Sequence, residues 1–243
     1  MPTDVLLIAL ISFLIGLSKG GLGGPVLGAM IAPLLSQVMP VQQAVGITLP
    51  MLLTGDAMAL RAYWRAWEWR YLRLLLPAAL ISTFIGVALL RELPNETLKR
   101  LLGLFCLLTV IYKLASDALK QLTYTPRQWH AWLAGFIAGL GSAVANIGAP
   151  AFTAYMLLQK VSPRVFMGTV TVFFGVLNVL KMPLFLSIGA LEPQVFLSLA
   201  WVLLLVPLGV AAGYWLVKRL SARIFELSML ALLVYISTAL LFG

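Results

Sequence analysis

Two apolar stretches of this chain are interrupted in the same manner, and the interruptions constrain it more than any other feature. Residues 16–35 read GLSKGGLGGPVLGAMIAPLL, and residues 139–158 read GLGSAVANIGAPAFTAYMLL. Each is a helical run that gives way to glycines and small residues, then restarts at Gly23-Gly24-Pro25 or Gly148-Ala149-Pro150. Backbone unwound in lipid leaves N–H and C=O groups unpaired and is tolerated only where protein or a water-filled cavity covers it. Both breaks must therefore face inward. Two Gly/Pro-interrupted apolar segments at corresponding positions of two halves point to the binding site of a secondary transporter.

The lipid premise comes from composition. Of 243 residues, 62% are hydrophobic and only 10% charged, with a mean hydropathy of +1.02. A soluble domain carries about 25% charged residues. The apolar runs are unbroken for roughly 15–25 residues, which suits helices crossing about 30 Å of hydrocarbon and not the period-two pattern of a barrel. The fold class expected is an all-α, polytopic membrane protein. The net charge of +9 has no basic tract on a soluble fold behind it, so nucleic acid is not an expected partner. Cys106 stands alone in an apolar run and is expected to pack, with no disulfide or metal cluster. The first residues carry Asp4, with no basic n-region and no A-x-A site, so they are read as the first membrane element and not as a cleaved signal.

Charges, prolines and polar clusters divide the chain into eight elements: a broken segment at 4–36, helices at 40–60, 72–90 and 97–117, a second broken segment at 128–160, and helices at 164–187, 194–217 and 222–242. In one register Gly23-Gly24-Pro25 meets Gly148-Ala149-Pro150. In a slightly shifted one, Pro40 meets Pro163 and Ala44–Thr48 meets Met167–Thr171. This weak internal duplication predicts two repeats, 1–118 and 119–243, joined by the polar stretch Ser116–Arg127. Each repeat opens with a broken or re-entrant helix pair followed by three transmembrane helices. If both broken segments return to the side they started from, twelve of the seventeen basic side chains share one face. They are Arg61, Arg65, Arg70, Arg73, Lys113, Lys120, Arg127, Lys160, Arg164, Lys218, Arg219 and Arg223. Arg91, Lys99 and Arg100 lie opposite, and Lys19 and Lys181 fall inside membrane segments. The positive-inside rule makes the basic face cytoplasmic. Each repeat then crosses an odd number of times, so the repeats are inverted and both termini are expected outside.

Tyr63–Tyr71 interleaves aromatic rings with arginines and is expected to be an interfacial helix at headgroup depth. Gly209 and Gly213 form a G-x-x-x-G, read as close packing within the bundle in preference to a dimer seam. His130, beside Trp129 and Trp132, is read as an interface residue.

Chemistry concentrates at the breaks. Pro25 and Pro150 suit the first turn of restarting helices, whose N-termini would aim free N–H groups at an anion. Gly20, Gly21, Gly23, Gly24 and Gly148, with Ala149, would let a ligand approach the backbone. Lys19 adds positive charge at about 22 Å along its helix, too deep for easy snorkelling. Asn146 and Ser142 are the polar donors at the second break. Thr48, Asp56, Thr171, Asn178 and Lys181 are gating or coupling candidates. Asp56 is placed near the cytoplasmic end of its helix, where it would pair with an arginine such as Arg61 or carry a coupling proton. Lys181 is placed towards the outer end, where it would attract anions at the mouth or meet a carbonyl end. These two are not expected to pair directly. No carboxylate cage for a cation is present, and one histidine and one cysteine give no nucleophile–base pair or metal centre, so an enzyme is not expected. A structural membrane subunit would have no reason for two matched breaks.

With the glycine-rich breaks at 16–25 and 139–150, Ala44–Thr48 and its partner Met167–Thr171, and Asn178-x-x-Lys181-x-Pro183, the chain resembles the TauE/SafE family of sulfite exporters, also called 4-toluene sulfonate uptake permeases. The resemblance covers essentially the whole chain. It implies transport, with export favoured, of small sulfur-containing anions such as sulfite and sulfonates. Typical members carry three consecutive glycines in each break, where this chain has Gly-Leu-Gly-Gly and Asn-Ile-Gly-Ala. The expectation is a secondary transporter in the inner (cytoplasmic) membrane working by alternating access, with no cofactor; the alternative is a passive anion channel of the same architecture. Beyond the anion and the bilayer, the partners to consider are a coupling proton and a second copy of the chain in a homodimer.

Overall fold

Glycine and proline set where the helices stop. In the computed structural model, which describes residues 2–22, 24–121, 127–198, 200–216 and 222–242, eleven α-helices account for most of the described residues. The first broken segment is α1 (Pro2–Lys19) and α2 (Gly24–Leu35); the helices after it are α3 (Val41–Ala62), α4 (Trp69–Glu92) and α5 (Asn95–Gln121). The second broken segment is α6 (Gln128–Ala145) and α7 (Ala149–Leu158), followed by α8 (Pro163–Ser187), α9 (Pro193–Ser198), α10 (Leu205–Leu216) and α11 (Ala222–Phe242). The spans α3, α4 and α8 are long and apolar enough to cross a membrane by length and composition. Large apolar side chains such as Ile81, Phe84, Leu208 and Tyr235 lie exposed on the outside, a surface suited to acyl chains.

Two readings from sequence change. The expected single helix over 194–217 is α9, a 3-10 stretch (Ala200–Leu204) and α10. Pro207 supplies no N–H to the turn before it and crowds the carbonyl four residues back, so the backbone there tightens away from α geometry. The aromatic–arginine stretch is not an interfacial helix. Residues 63–68 form a non-helical connection, with Arg65 at φ 59°, and α4 begins only at Trp69. Trp64, Trp67 and Trp69 meet edge to face along it, and its backbone lies on Gly168, with the Glu68 N–H donating to Thr169 Oγ1 at 3.1 Å. Lys218 and Arg219 of the basic face lie outside the described residues.

The tightest helix crossings are made by backbone meeting backbone. Gly209 and Gly213 of α10 pack on Gly16 of α1 and on Gly20 just past its end, so each pair occupies the space where the other would carry a Cβ. That is the intra-bundle packing expected of G-x-x-x-G. A similar crossing joins α6 to α4, where Gly135 and Gly139 lie against the carbonyls of Leu75 and Ala79. Further seams pair α3 with α8 and α5 with α11. Cys106 is buried between α5 and α2, its Sγ 3.8 Å from the Ala29 carbonyl.

Gly139→Val should overpack the α4/α6 crossing by about 1–3 kcal/mol, seen as a lower thermal midpoint in detergent. Gly175→Ala, on a helix face with open space beside it, should leave the midpoint unchanged or slightly raised.

Candidate functional site

Both breaks end a helix with a left-handed residue. At the first, Gly21 has φ 104° and the Leu22 N–H turns back to the Leu17 carbonyl at 3.1 Å. At the second, Asn146 takes φ 55° and ψ 24°, and the Ile147 N–H returns to the Gly141 carbonyl at 2.9 Å. Gly21 and Asn146 correspond in the register that superimposes Gly23-Gly24-Pro25 on Gly148-Ala149-Pro150. Glycine and asparagine are the residues that tolerate this conformation best. The asparagine also brings an amide to the break.

That amide is the centre of a buried polar knot. Its Nδ2 donates to Thr48 Oγ1 at 2.8 Å and to the Val45 carbonyl at 3.2 Å, tying α6 to α3. Its Oδ1 accepts from Lys181 Nζ at 2.7 Å. Lys181, on α8, is fully buried and also donates to the Ser142 carbonyl at 3.0 Å and to Ser142 Oγ at 3.1 Å. The three acceptors match the three N–H bonds of an ammonium. One of them is a carbonyl in the last turn of α6, where the helix dipole is negative and a cation is favoured. Of the two roles considered for Lys181, attraction at a mouth is not what this geometry offers, because no part of the side chain is exposed.

A second polar contact set lies beside the first. Lys19 Nζ forms an ion pair with Asp56 Oδ1, and Asp56 Oδ2 accepts from Asn178 Nδ2 at 2.6 Å. The partner expected for Asp56, Arg61, is displaced from that role: Arg61 lies at the exposed end of α3, and Asp56 is 4% exposed and faces inward. Gly55 makes the approach possible, since a Cβ there would stand 3.0 Å from Lys19 Cγ. Asp56 and Asn178 lie equally far from the starts of α3 and α8, and they meet where these helices pack. Asp56 and Lys181 do not bond directly; Asn178, one turn before Lys181, stands between them.

A cavity of about 170 Å³ opens between the breaks, with Lys19 and Ser18 from α1, Gly28 and Ile31 from α2, Ser142 and Asn146 at the end of α6, Ala149 and Thr153 from α7, and Asn178 from α8 on its wall. Phe166, Met167, Val170 and Phe174 of α8 give it an apolar side. The candidates Lys19, Ser142, Asn146, Ala149 and Asn178 are thus gathered on one cavity. Others are not. The faces of Gly20 and Gly148 are filled by the carbonyls of Val210 and Ala138; Gly21 has open space beside it but is absent from the cavity wall. Gly24 opens α2, and Gly23 lies outside the described residues. Thr171 donates to the carbonyl of Met167 at 2.8 Å and borders a separate groove between α3 and α8, where Asp56 also shows. Among the described residues no group of histidines, cysteines and carboxylates has the makings of a metal site. Sequence reasoning missed Ser18, Thr153 and the aromatic wall of α8, because side chains of these types are ordinary within apolar helices.

Residues 8–240 match the family model described as Sulfite exporter TauE/SafE. The chain belongs to this family. It is therefore a multi-pass membrane protein and a transporter, not an enzyme, and membership implies sulfite or sulfonates as the class of cargo. No curated protein and no solved structure matches the chain.

Lys181→Met would leave the Asn146 amide oxygen without its donor and take one of the two donors from the Ser142 carbonyl, which keeps the Asn146 N–H at 3.2 Å. The cost should be about 2–3 kcal/mol, read as a clear fall in thermal midpoint. Thr171→Val, which removes only a hydroxyl bonded within its own helix, should stay within about 0.5 kcal/mol of the parent.

Proposed function

We propose that this chain is a secondary transporter that carries sulfite or a small organosulfonate across the cytoplasmic membrane, holding the anion in the cavity between the two helix breaks. The observation that carries this reading is that one cavity joins a cationic side chain at the first break to polar side chains at the second. Lys19 neutralises the anion. The Ser142 hydroxyl orients it, as does the Asn146 amide when it gives up a bond to Thr48 Oγ1 or the Val45 carbonyl, and the first turn of α7 at Ala149 adds backbone N–H groups and the positive end of a helix dipole. The volume is close to the roughly 150 Å³ of an engineered cavity that admits benzene, so sulfite or a compact sulfonate fits. Asp56 holds Lys19 in place between loads, and a bound anion competes with it for the ammonium.

Alternating access is the mechanism proposed, between repeats 1–118 and 119–243 with opposite orientations and both termini outside. Its support is the reciprocal pairing of elements: α1 packs on α10 as α6 packs on α4, while α3 meets α8 and α5 meets α11. The corresponding left-handed residues Gly21 and Asn146 add to it. Export is the direction suggested by the family's description. A coupling proton and a homodimer belong to the same proposal.

Proteoliposomes given radiolabelled sulfite or an alkanesulfonate should take up the anion above equilibrium under an imposed ion gradient. A passive channel would only equilibrate it. Lys19→Ala should lower the flux at least tenfold, with Lys19→Arg retaining part of it. Normal flux of every anion through Lys19→Ala would overturn the assignment of this site.

A further inference from the structure

The charged groups around the cavity form a set whose sum is unusual for an anion site. Lys19 of α1 and Lys181 of α8 are two cations, and Asp56 of α3 is a carboxylate placed among them. If anion attraction were the sole requirement, a buried acidic side chain beside the anion-facing lysine would work against it. Asp56 is nevertheless held firmly, by the Lys19 ammonium on one oxygen and by Asn178 at 2.6 Å on the other. Behind it lies the groove between α3 and α8, walled by Leu53, Ala57, Leu60, Val172, Val176 and Val179. Thr171 is the other polar side chain on this groove, with its hydroxyl bonded to the Met167 carbonyl, and among the described residues no cationic side chain lines it.

The three acceptors around Lys181 Nζ take up the three N–H bonds of an ammonium; with Lys19 the cationic and Asp56 the anionic partner of an ion pair, the set carries one net positive charge. A single-charged oxyanion cancels it. A double-charged oxyanion of the same shape leaves one negative charge uncompensated, next to the Lys19–Asp56 pair. We infer that Asp56 is a specificity-determining residue that selects cargo by valence: the cavity accepts monoanions such as sulfonates and bisulfite and rejects dianions such as sulfate. The inference rests on the transport reading above and refines it. The repulsive element is supplied by Asp56 itself, since discrimination between anions of similar size requires a feature that penalises the wrong one. Lys181 contributes charge from a distance while its three N–H bonds stay with Ser142 and Asn146; Lys19 is the cation that faces the cavity.

Methanesulfonate and sulfate are suited to the test, being compact sulfur oxyanions of similar size that differ by one charge. In proteoliposomes at neutral pH the parent protein should transport methanesulfonate at least tenfold faster than sulfate. Asp56→Asn retains an oxygen for Asn178 and should lower that ratio at least fivefold, whatever its absolute rate, whereas Asp56→Glu should keep the parental preference. A purely structural role for Asp56 would change both rates together and leave the ratio where it was, and that result would overturn the inference. Equal rates for the two anions in the parent would overturn it as well. The parent in detergent provides a readout that needs no variant to fold: methanesulfonate should raise the thermal midpoint at concentrations where sulfate, matched for ionic strength, does not. Equal stabilisation by both would refute valence selection. If the parent moves neither anion nor sulfite, the transport reading itself falls, an outcome distinct from transport without selectivity.

Discussion

The ion pair between Lys19 and Asp56 is the interaction on which the cavity depends. A charged side chain at the centre of a bilayer is costly, by about 2.5–3.5 kcal/mol on insertion scales and more in other treatments. Each of these two residues makes the other tolerable. The pairing also fixes geometry. It draws the end of α1 across Gly55 onto α3, and it shares its carboxylate with Asn178 of α8. Three elements distant in sequence are thereby held around one point. The unwound backbone after Lys19 is met from the other side by α10, with Gly20 on the Val210 carbonyl, and the Leu22 N–H turns back to Leu17.

Around that point the bundle uses two kinds of contact. The α1/α10 and α4/α6 crossings are glycine-lined, with backbone against backbone and no room for a side chain. In a membrane, where the hydrophobic effect gives helices no reason to associate, such close packing is a main source of cohesion. The seam between α3, α6 and α8 is instead polar, carried by Asn146, Thr48, Lys181 and Ser142. The apolar crossings depend on shape alone, whereas the polar seam is made of bonds that an anion can compete for. In the function proposed above, cargo recognition falls to the second kind of contact.

Much of this was legible in the sequence. Prolines, charges and glycine clusters punctuate the apolar runs, so the starts of α3 and α8 and the two broken segments fall close to where pattern puts them. The candidate residues Lys19, Ser142, Asn146 and Ala149 do share one cavity. The partners were harder to read. Depth was judged from position along each helix, which set Asp56 apart at a cytoplasmic end and assigned it to Arg61. The end of α1 at its break and its approach over Gly55 are tertiary facts, and they bring Lys19 to Asp56 instead. The glycines suffered from a different ambiguity. Gly20 and Gly148 signal a close approach, but composition does not say whether a ligand or a neighbouring helix makes it, and here a helix does. The split of 194–217 turned on Pro207, a residue that apolar helices in membranes often accommodate without a break.

The α1/α10 crossing also bears on how the chain is made. Protein chains are built from the N-terminus at about 5–20 residues per second, and α1 lies ahead of α10 by most of the sequence. The glycine face of α1 therefore reaches the membrane long before its partner has been translated. Until α10 arrives, that face must be occupied by lipid or by the insertion machinery. The leading half cannot settle into its final packing on the ribosome, and assembly finishes only when late helices close over early ones.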